Sequence, residues 1–128
     1  MKLLDSTFLI DMLRGRKETL NIINGKEPLL TTQVNMYEVT RGLFLRNIPS
    51  SKFAEIMEMF ETIKVLSLDD NSIVKAAEIS SELIKSGMTI SDCDCLTAGI
   101  AVSKGVNNIV TKNTEHFRRI KGFQVETY

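Results

Sequence analysis

The sequence predicts an α/β fold in which a small doubly wound parallel sheet is flanked by helices. Short apolar runs typical of buried strands alternate with longer segments whose apolar residues recur at helical spacing. This alternation favours parallel strands that are joined by right-handed helical crossovers. The length of 128 residues, with 43% hydrophobic and 25% charged residues, fits one domain over residues 1–128 with its own core.

In the first half of the chain, each predicted element is bounded by a turn residue or a helix cap. Gly15 and the pair Asn24-Gly25 interrupt the first helical stretches, and Thr32 is placed to cap a longer helix. The predicted strands cover residues 2–5 and 28–31, and the predicted helices cover residues 6–14, 16–23, 33–46 and 52–62.

The second half repeats the alternation. Asp69 or Asp70 is expected to cap a long helix that ends at residue 86, and Gly87 follows it as a left-handed cap. The predicted strands cover residues 63–68, 108–111 and 123–126, and further helices cover 91–103 and 114–120. The stripe of the long helix that is expected to face the core contains Ile73, Ala76, Ala77, Ile79, Ser80, Leu83 and Ile84.

Charge and cysteine content restrict the possible functions. Sixteen basic and sixteen acidic residues cancel, so attraction to nucleic acid has to come from a local patch. Cys93 and Cys95 lie two apart in a helix, which predicts free thiols and offers too few ligands for structural zinc. An acid at position 5 argues against a signal peptide, and no apolar run approaches the length of a membrane span. We therefore expect a cytoplasmic protein without membrane partners.

Asp5 and Glu38 are two acids whose predicted positions need an explanation. Asp5 ends the first strand, and in doubly wound sheets sites form outside the carboxyl ends of the strands; its alternative role is a helix N-cap. Glu38 lies on a partly apolar helix face, where a free carboxylate is unfavourable. An ion pair with Arg41 is the alternative there, and Asn35 is placed one turn earlier to orient the carboxylate.

Asp94 begins a helix rich in small residues. It shares a face with Ala98 and Ala101, which allow close packing on the sheet, so its side chain is expected to point inward. A capping arrangement with Ser91 is the alternative. Asp92 is a rival to Asp94, but it lies about 200° around the helix and has an alternative role as a solvated first-turn acid.

Three carboxylates that meet at one edge of the sheet repel one another, and their pKa values rise unless a cation lies between them. Oxygen ligands in this number suit Mg²⁺ or Mn²⁺, which serve in the hydrolysis of phosphodiesters. The sequence therefore predicts a divalent cation held among Asp5, Glu38 and Asp94, in the kind of carboxylate site that recurs in the cleavage of phosphodiesters.

Four stretches carry a family resemblance by their order and spacing: residues 4–10 (LDSTFLI), 35–38 (NMYE), 94–101 (DCLTAGIA) and 110–113 (VTKN), the last followed by Phe117 and Ile120. Together they resemble PIN-domain proteins over nearly the whole chain. The size is similar to that of the VapC-type members, which are single-domain ribonucleases and the toxins of toxin–antitoxin pairs.

The resemblance implies a PIN-like three-layer sandwich and a ribonuclease that depends on Mg²⁺ or Mn²⁺. It implies RNA as the substrate, a homodimer, and a small antitoxin protein as an inhibitory partner. By the same match, Asp5, Glu38 and Asp94 are the expected catalytic residues and metal ligands of a metal-assisted hydrolysis of RNA. Asp5 and Asp94 are expected to hold the metal, and Glu38 to hold a second ion or to position its water.

The chain departs from the family pattern after its fourth predicted strand. Family members often carry a further acid where Asn113 or His116 stands here. Asn113, acting through water, and Glu115 are therefore additional candidate ligands, as is Asp92. The departure also favours an alternative function, a catalytically weak PIN-like module that binds RNA or a protein partner.

Contacts with the substrate are predicted at four residues. The resemblance places Thr111 near the site, and Ser6 directly follows Asp5. Arg14 and Arg118 belong to basic clusters that are able to contact phosphates. The alternative for both clusters is solvated charge at helix ends.

Overall fold

The computed structural model describes residues 1–128 and contains one five-stranded parallel sheet. The strands are β1 (Lys2–Leu4), β2 (Leu29–Thr32), β3 (Lys64–Leu66), β4 (Asn108–Val110) and β5 (Gln124–Glu126). The helices are α1 (Ser6–Leu13), α2 (Leu20–Ile23), α3 (Gln33–Leu45), α4 (Ser50–Thr62), α5 (Asp70–Lys85), α6 (Asp92–Ser103) and α7 (Thr114–Arg118).

The strand order β3-β2-β1-β4-β5 confirms the predicted doubly wound sheet. The chain winds outward from β1 through β2 to β3, and then crosses back to β4 on the other side of β1. The order therefore reverses between β1 and β4, where Leu4 is paired with Val110. The residues that follow these two strands, Asp5 and Thr111, lie side by side at this switch point, which is the usual position of a site in such folds.

The core forms two clusters because successive strand residues point to opposite faces of the sheet. Leu3 and Ile109 belong to one cluster, which contains residues of α5, α6 and α7. Leu4 and Val110 belong to the other, which contains residues of α1, α3 and α4. The sheet is thus covered by helices on both faces.

Side-chain caps fix the helix starts that surround the switch point. The Asp5 carboxylate accepts a hydrogen bond from the Phe8 amide and caps α1, and Thr32 caps α3 in the same way. Asp69 and Ser72 form a reciprocal capping box at α5, and Ser91 caps α6. These caps supply acceptors for backbone donors that have no partner within the helix.

The stripe predicted for α5 is wrong at its edges. Ile73 and Ile84 are 48% and 61% exposed and Ala77 is exposed as well, whereas Ala76, Ile79 and Leu83 are buried. The buried face follows positions 72, 76, 79 and 83 and is narrower than expected, because Ala76 packs directly on Gly99 of α6.

Two other expectations are tested directly by the structure. The stretch 16–23, expected as one helix, is a short 3₁₀ turn (Lys17–Thr19) followed by one turn of α2. Cys93 and Cys95 are both free, as predicted. None of the helices combines the length and the apolar character needed to cross a membrane.

Candidate functional site

Asp5 is a buried carboxylate whose two oxygens are both held by hydroxyl groups. Oδ1 accepts hydrogen bonds from Thr7 Oγ1 at 2.7 Å and from the Phe8 amide at 3.1 Å. Oδ2 accepts a short hydrogen bond from Thr111 Oγ1. Burial raises the pKa of Asp5, the three donors oppose that rise, and the charge of Asp94 adds to it.

The loop after β4 is tied to the same carboxylate through these hydroxyls. The Lys112 amide donates to Thr7 Oγ1 at 3.3 Å, and the Asn113 amide donates to Thr111 Oγ1 at 2.8 Å. Two consecutive amides therefore reach the two oxygens of Asp5 through two threonines. Thr111 was expected near the site from the family resemblance, whereas Thr7 has no distinguishing feature in the sequence and was not predicted.

Glu38 lies half-buried on α3 and faces the other acids. Burial raises its pKa first, the charges of Asp94 and Asp5 raise it further, and the Ser6 hydroxyl and Arg41 oppose the rise. Arg41 is exposed and stacks over the Tyr37 ring at 5.2 Å, so the expected alternative of a buried ion pair is not present.

Asn35 does not orient Glu38, contrary to expectation. Its Oδ1 accepts from the Ser6 amide at 3.0 Å, and its Nδ2 donates to Thr32 Oγ1 at 2.8 Å. Asn35 is buried and joins the start of α1 to the cap of α3. It therefore holds together the two helices that carry Asp5 and Glu38.

Asp94 lies in the first turn of α6 with a side chain that is 16% exposed. Its Oδ2 accepts a hydrogen bond from Asn113 Nδ2 at 3.1 Å. The Nδ1 of His116 has no hydrogen-bond partner and lies 3.6 Å from the same oxygen, which is too far for a hydrogen bond. Burial raises the pKa of Asp94, and Ser91 and His116 oppose that rise.

The structure thus brings Asp5, Glu38 and Asp94 to one edge, close enough for their charges to act on one another. No lysine or arginine forms an ion pair with any of the three. No three His, Cys, Asp or Glu side chains form a ready-made metal cage. The edge is consequently an oxygen-lined region of uncompensated negative charge.

The remaining predicted residues lie outside this group. Asp92 is exposed, and Glu115 is 84% exposed and pairs with Arg119 at 3.6 Å. Arg14 lines a small cavity of about 130 Å³ between α1, α3 and α4, and Arg118 is exposed. No hydrogen bond or ion pair joins Asp92, Glu115 or either arginine to the three acids.

A second polar cluster adjoins Asp5 and was missed from the sequence. Asp11 Oδ2 accepts from the Tyr128 hydroxyl at 2.8 Å and lies 3.4 Å from Lys112 Nζ. Arg16 Nε is 3.8 Å from the other oxygen, and the Lys112 ammonium lies 5.0 Å from the centre of the Tyr128 ring. The Tyr128 hydroxyl and these cations hold the pKa of Asp11 below its usual range.

Comparisons with known proteins agree with this geometry. A family model described as PIN domain matches residues 2–122. Ribonuclease VapC1 of Methanocaldococcus jannaschii is 30% identical over 127 residues, covering 98% of this chain and 85% of that protein. The tRNA(fMet)-specific endonuclease VapC of Shigella flexneri is 28% identical over 130 residues, covering 98% and 96%. A chain in the crystal structure of VapBC2 from Rickettsia felis bound to a promoter DNA fragment superposes with a TM-score of 0.88 at 15% identity, covering 99% and 98%.

Proposed function

The chain belongs to the PIN-domain family, and on this basis we propose that it is a metal-dependent endoribonuclease, the toxin of a toxin–antitoxin pair. The observation that carries the proposal is the meeting of Asp5, Glu38 and Asp94 at the sheet's switch point without a cationic partner. The ribonuclease and endonuclease names of the two VapC relatives support the reaction type.

The donor set fits Mg²⁺ or Mn²⁺. All three acids offer hard oxygen ligands, and each has a raised pKa that a divalent cation would reverse. Asp5, Asp94 and Glu38 are the proposed ligands, whereas exposed Asp92 and Glu115 are not needed. Such a cation, when bound, lowers the pKa of a water and neutralises charge that develops on a phosphate.

The chain's own residues would prepare this site. Thr7 and Thr111 fix both oxygens of Asp5, so its orientation is set before substrate binds. Asn113 occupies one oxygen of Asp94 through its amide NH₂ and thereby limits the rotation of that carboxylate. Thr111 is thus proposed to position Asp5, in place of the direct substrate contact expected from the sequence.

Three partners are proposed: an RNA substrate, a small antitoxin protein and a second copy of the chain. Support for protein partners comes from an apolar face of α3, where Tyr37, Phe44 and Leu45 are 57%, 69% and 77% exposed. These residues line an open groove of about 650 Å³. An apolar face of this kind is typical of an interaction surface. The free thiols Cys93 and Cys95 support the expected cytoplasmic location.

The alternative is a catalytically weak module that binds RNA or a protein. It is favoured by Asn113 and His116, which stand at positions where a fourth acid was expected and which both face Asp94. The absence of a ready-made three-ligand cage also favours it. In that case the acids would hold the fold or a partner without turning over RNA.

The test compares Asp94→Asn with Asp92→Asn in Mg²⁺-dependent cleavage of RNA by the purified protein. Both changes remove one charge from the first turn of α6, but only Asp94 faces the other acids. We expect Asp94→Asn to lose about 100-fold or more of the rate, as when a charge-stabilising group leaves an active site. Asp92→Asn should cleave at the wild-type rate. Full activity of Asp94→Asn rejects the assignment, and a wild type that binds RNA without Mg²⁺-dependent cleavage supports the alternative.

A further inference from the structure

An RNA that approaches the acidic edge needs a nearby cation. RNA is a polyanion, the three acids are negative, and the net charge of the chain is zero. Neither Arg14 nor Arg118, the cations favoured by the sequence, is connected to the acids. The structure instead joins one lysine, Lys112, to the hydrogen-bond network of Asp5.

Lys112 is held beside the site by its own backbone. It directly follows Thr111, which donates to Asp5, and its amide donates to Thr7, which also donates to Asp5. Its ammonium contacts Asp11, which follows Asp5 by six residues on α1 and so lies about 9 Å farther along the helix axis. One RNA strand is long enough to contact both the acidic edge and this ammonium.

The Lys112 ammonium is accessible to a ligand, and Asp11 keeps other partners when this ammonium is withdrawn. The side chain is 47% exposed, whereas that of Asp11 is 15% exposed. Without Lys112, Asp11 would still accept a hydrogen bond from the Tyr128 hydroxyl and face Arg16. A phosphate can therefore take the ammonium from Asp11 without leaving a buried charge unpaired.

We propose that Lys112 binds a backbone phosphate of the RNA beside the acidic edge, and that Asp11 competes with the phosphate for the same ammonium. This inference rests on the proposed ribonuclease function. In the free protein, Asp11 and the Tyr128 ring hold Lys112 in place for the phosphate. Asp11 thereby weakens RNA binding, since the phosphate that binds Lys112 has to displace the ion pair between Lys112 and Asp11.

The first test measures RNA binding without cleavage. A labelled single-stranded RNA of mixed sequence is titrated with protein in EDTA, and fluorescence anisotropy is recorded at several salt concentrations. Lys112→Gln should weaken binding and reduce the slope of log affinity against log salt by about 0.7, the value for one lost phosphate contact on a single strand. Lys52→Gln is the matched control, because Lys52 is 53% exposed and faces Glu55 at 3.5 Å on α4; it should keep the wild-type slope.

The second test uses the competing acid. Asp11→Asn keeps an acceptor for Tyr128 but removes the charge, so RNA should bind more tightly than to the wild type. In the Lys112→Gln background the same change should give a clearly smaller gain, because the freed ammonium is gone and only the loss of the Asp11 charge beside Arg16 remains. Circular dichroism establishes that each variant is folded before it is compared.

The outcomes separate the two proposals. An unchanged salt slope for Lys112→Gln, or an equal gain from Asp11→Asn with and without Lys112, overturns this inference while RNA cleavage by the wild type stands. Wild-type protein that neither binds nor cleaves RNA overturns the proposed function as well.

Discussion

Gly99→Ala tests the packing that places Asp94 at the site. Gly99 lies on α6 against α5, and a Cβ added there would be 2.6 Å from Ala76 Cβ, Ala76 N and Ser72 O. Carbon atoms in ordinary contact are about 3.5–4.0 Å apart, so the two helices must separate by about 1 Å. Overpacking costs about 1–3 kcal/mol, and two of the three contacts are backbone atoms that cannot rotate away.

A gain in helix propensity of about 1 kcal/mol partly offsets this cost, which leaves a net loss of up to about 2 kcal/mol. Gly42→Ala on α3 is the matched control, because a Cβ there meets nothing within 4 Å. It should stabilise the protein by about 0.5–1 kcal/mol. Urea denaturation followed by circular dichroism measures both variants. Equal stability of Gly99→Ala and Gly42→Ala would show that close packing of α5 on Gly99 does not exclude a larger side chain.

Three further outcomes are expected. In EDTA, Asp94→Asn should raise the melting temperature, and this gain should grow as the pH rises above about 4. The folded protein raises the pKa of Asp94, so ionisation of this carboxylate destabilises the fold, whereas asparagine does not ionise. Thr7→Val should lower kcat with little change in KM, because valine lacks the hydroxyl group through which Thr7 orients Asp5. Thr7→Ser keeps that hydroxyl and should retain the wild-type kcat; an equal loss of kcat in both variants argues against this role. Asp69→Ala should lower the stability measured by urea denaturation, because it removes the α5 cap and the ion pair with Lys104. No loss would show that both contacts are dispensable.

The layout of the acids was predictable because it follows from local patterns. Asp5 ends an apolar run, and a parallel sheet places the ends of its strands at one edge. Asp94 follows the cap Ser91 and precedes small residues, which fixes both the start of α6 and its buried face. The positions of the acids could therefore be predicted from the sequence. The hydrogen-bond partners of each carboxylate could not.

The other contacts depend on tertiary placement that no local pattern encodes. Tyr128 and Asp11 are 117 residues apart in the sequence. Their hydrogen bond forms only because the residues that follow β5 pack against α1. Asn35 was expected to orient Glu38 on its own helix. Because α3 packs on α1, Asn35 instead accepts a hydrogen bond from the Ser6 amide, which has no partner within α1. Ile73 matched helical spacing on α5, yet close contact with α6 narrows the buried face and leaves it exposed.

The central claim, that three carboxylates form a divalent cation site, is tested most directly by calorimetric titration of Mn²⁺ into the wild type, Asp94→Asn and Asp92→Asn. We expect saturable binding to the wild type and to Asp92→Asn, and none to Asp94→Asn at the same concentrations. A wild type that takes up no Mn²⁺, or an Asp94→Asn variant that binds it as tightly as the wild type, contradicts the account.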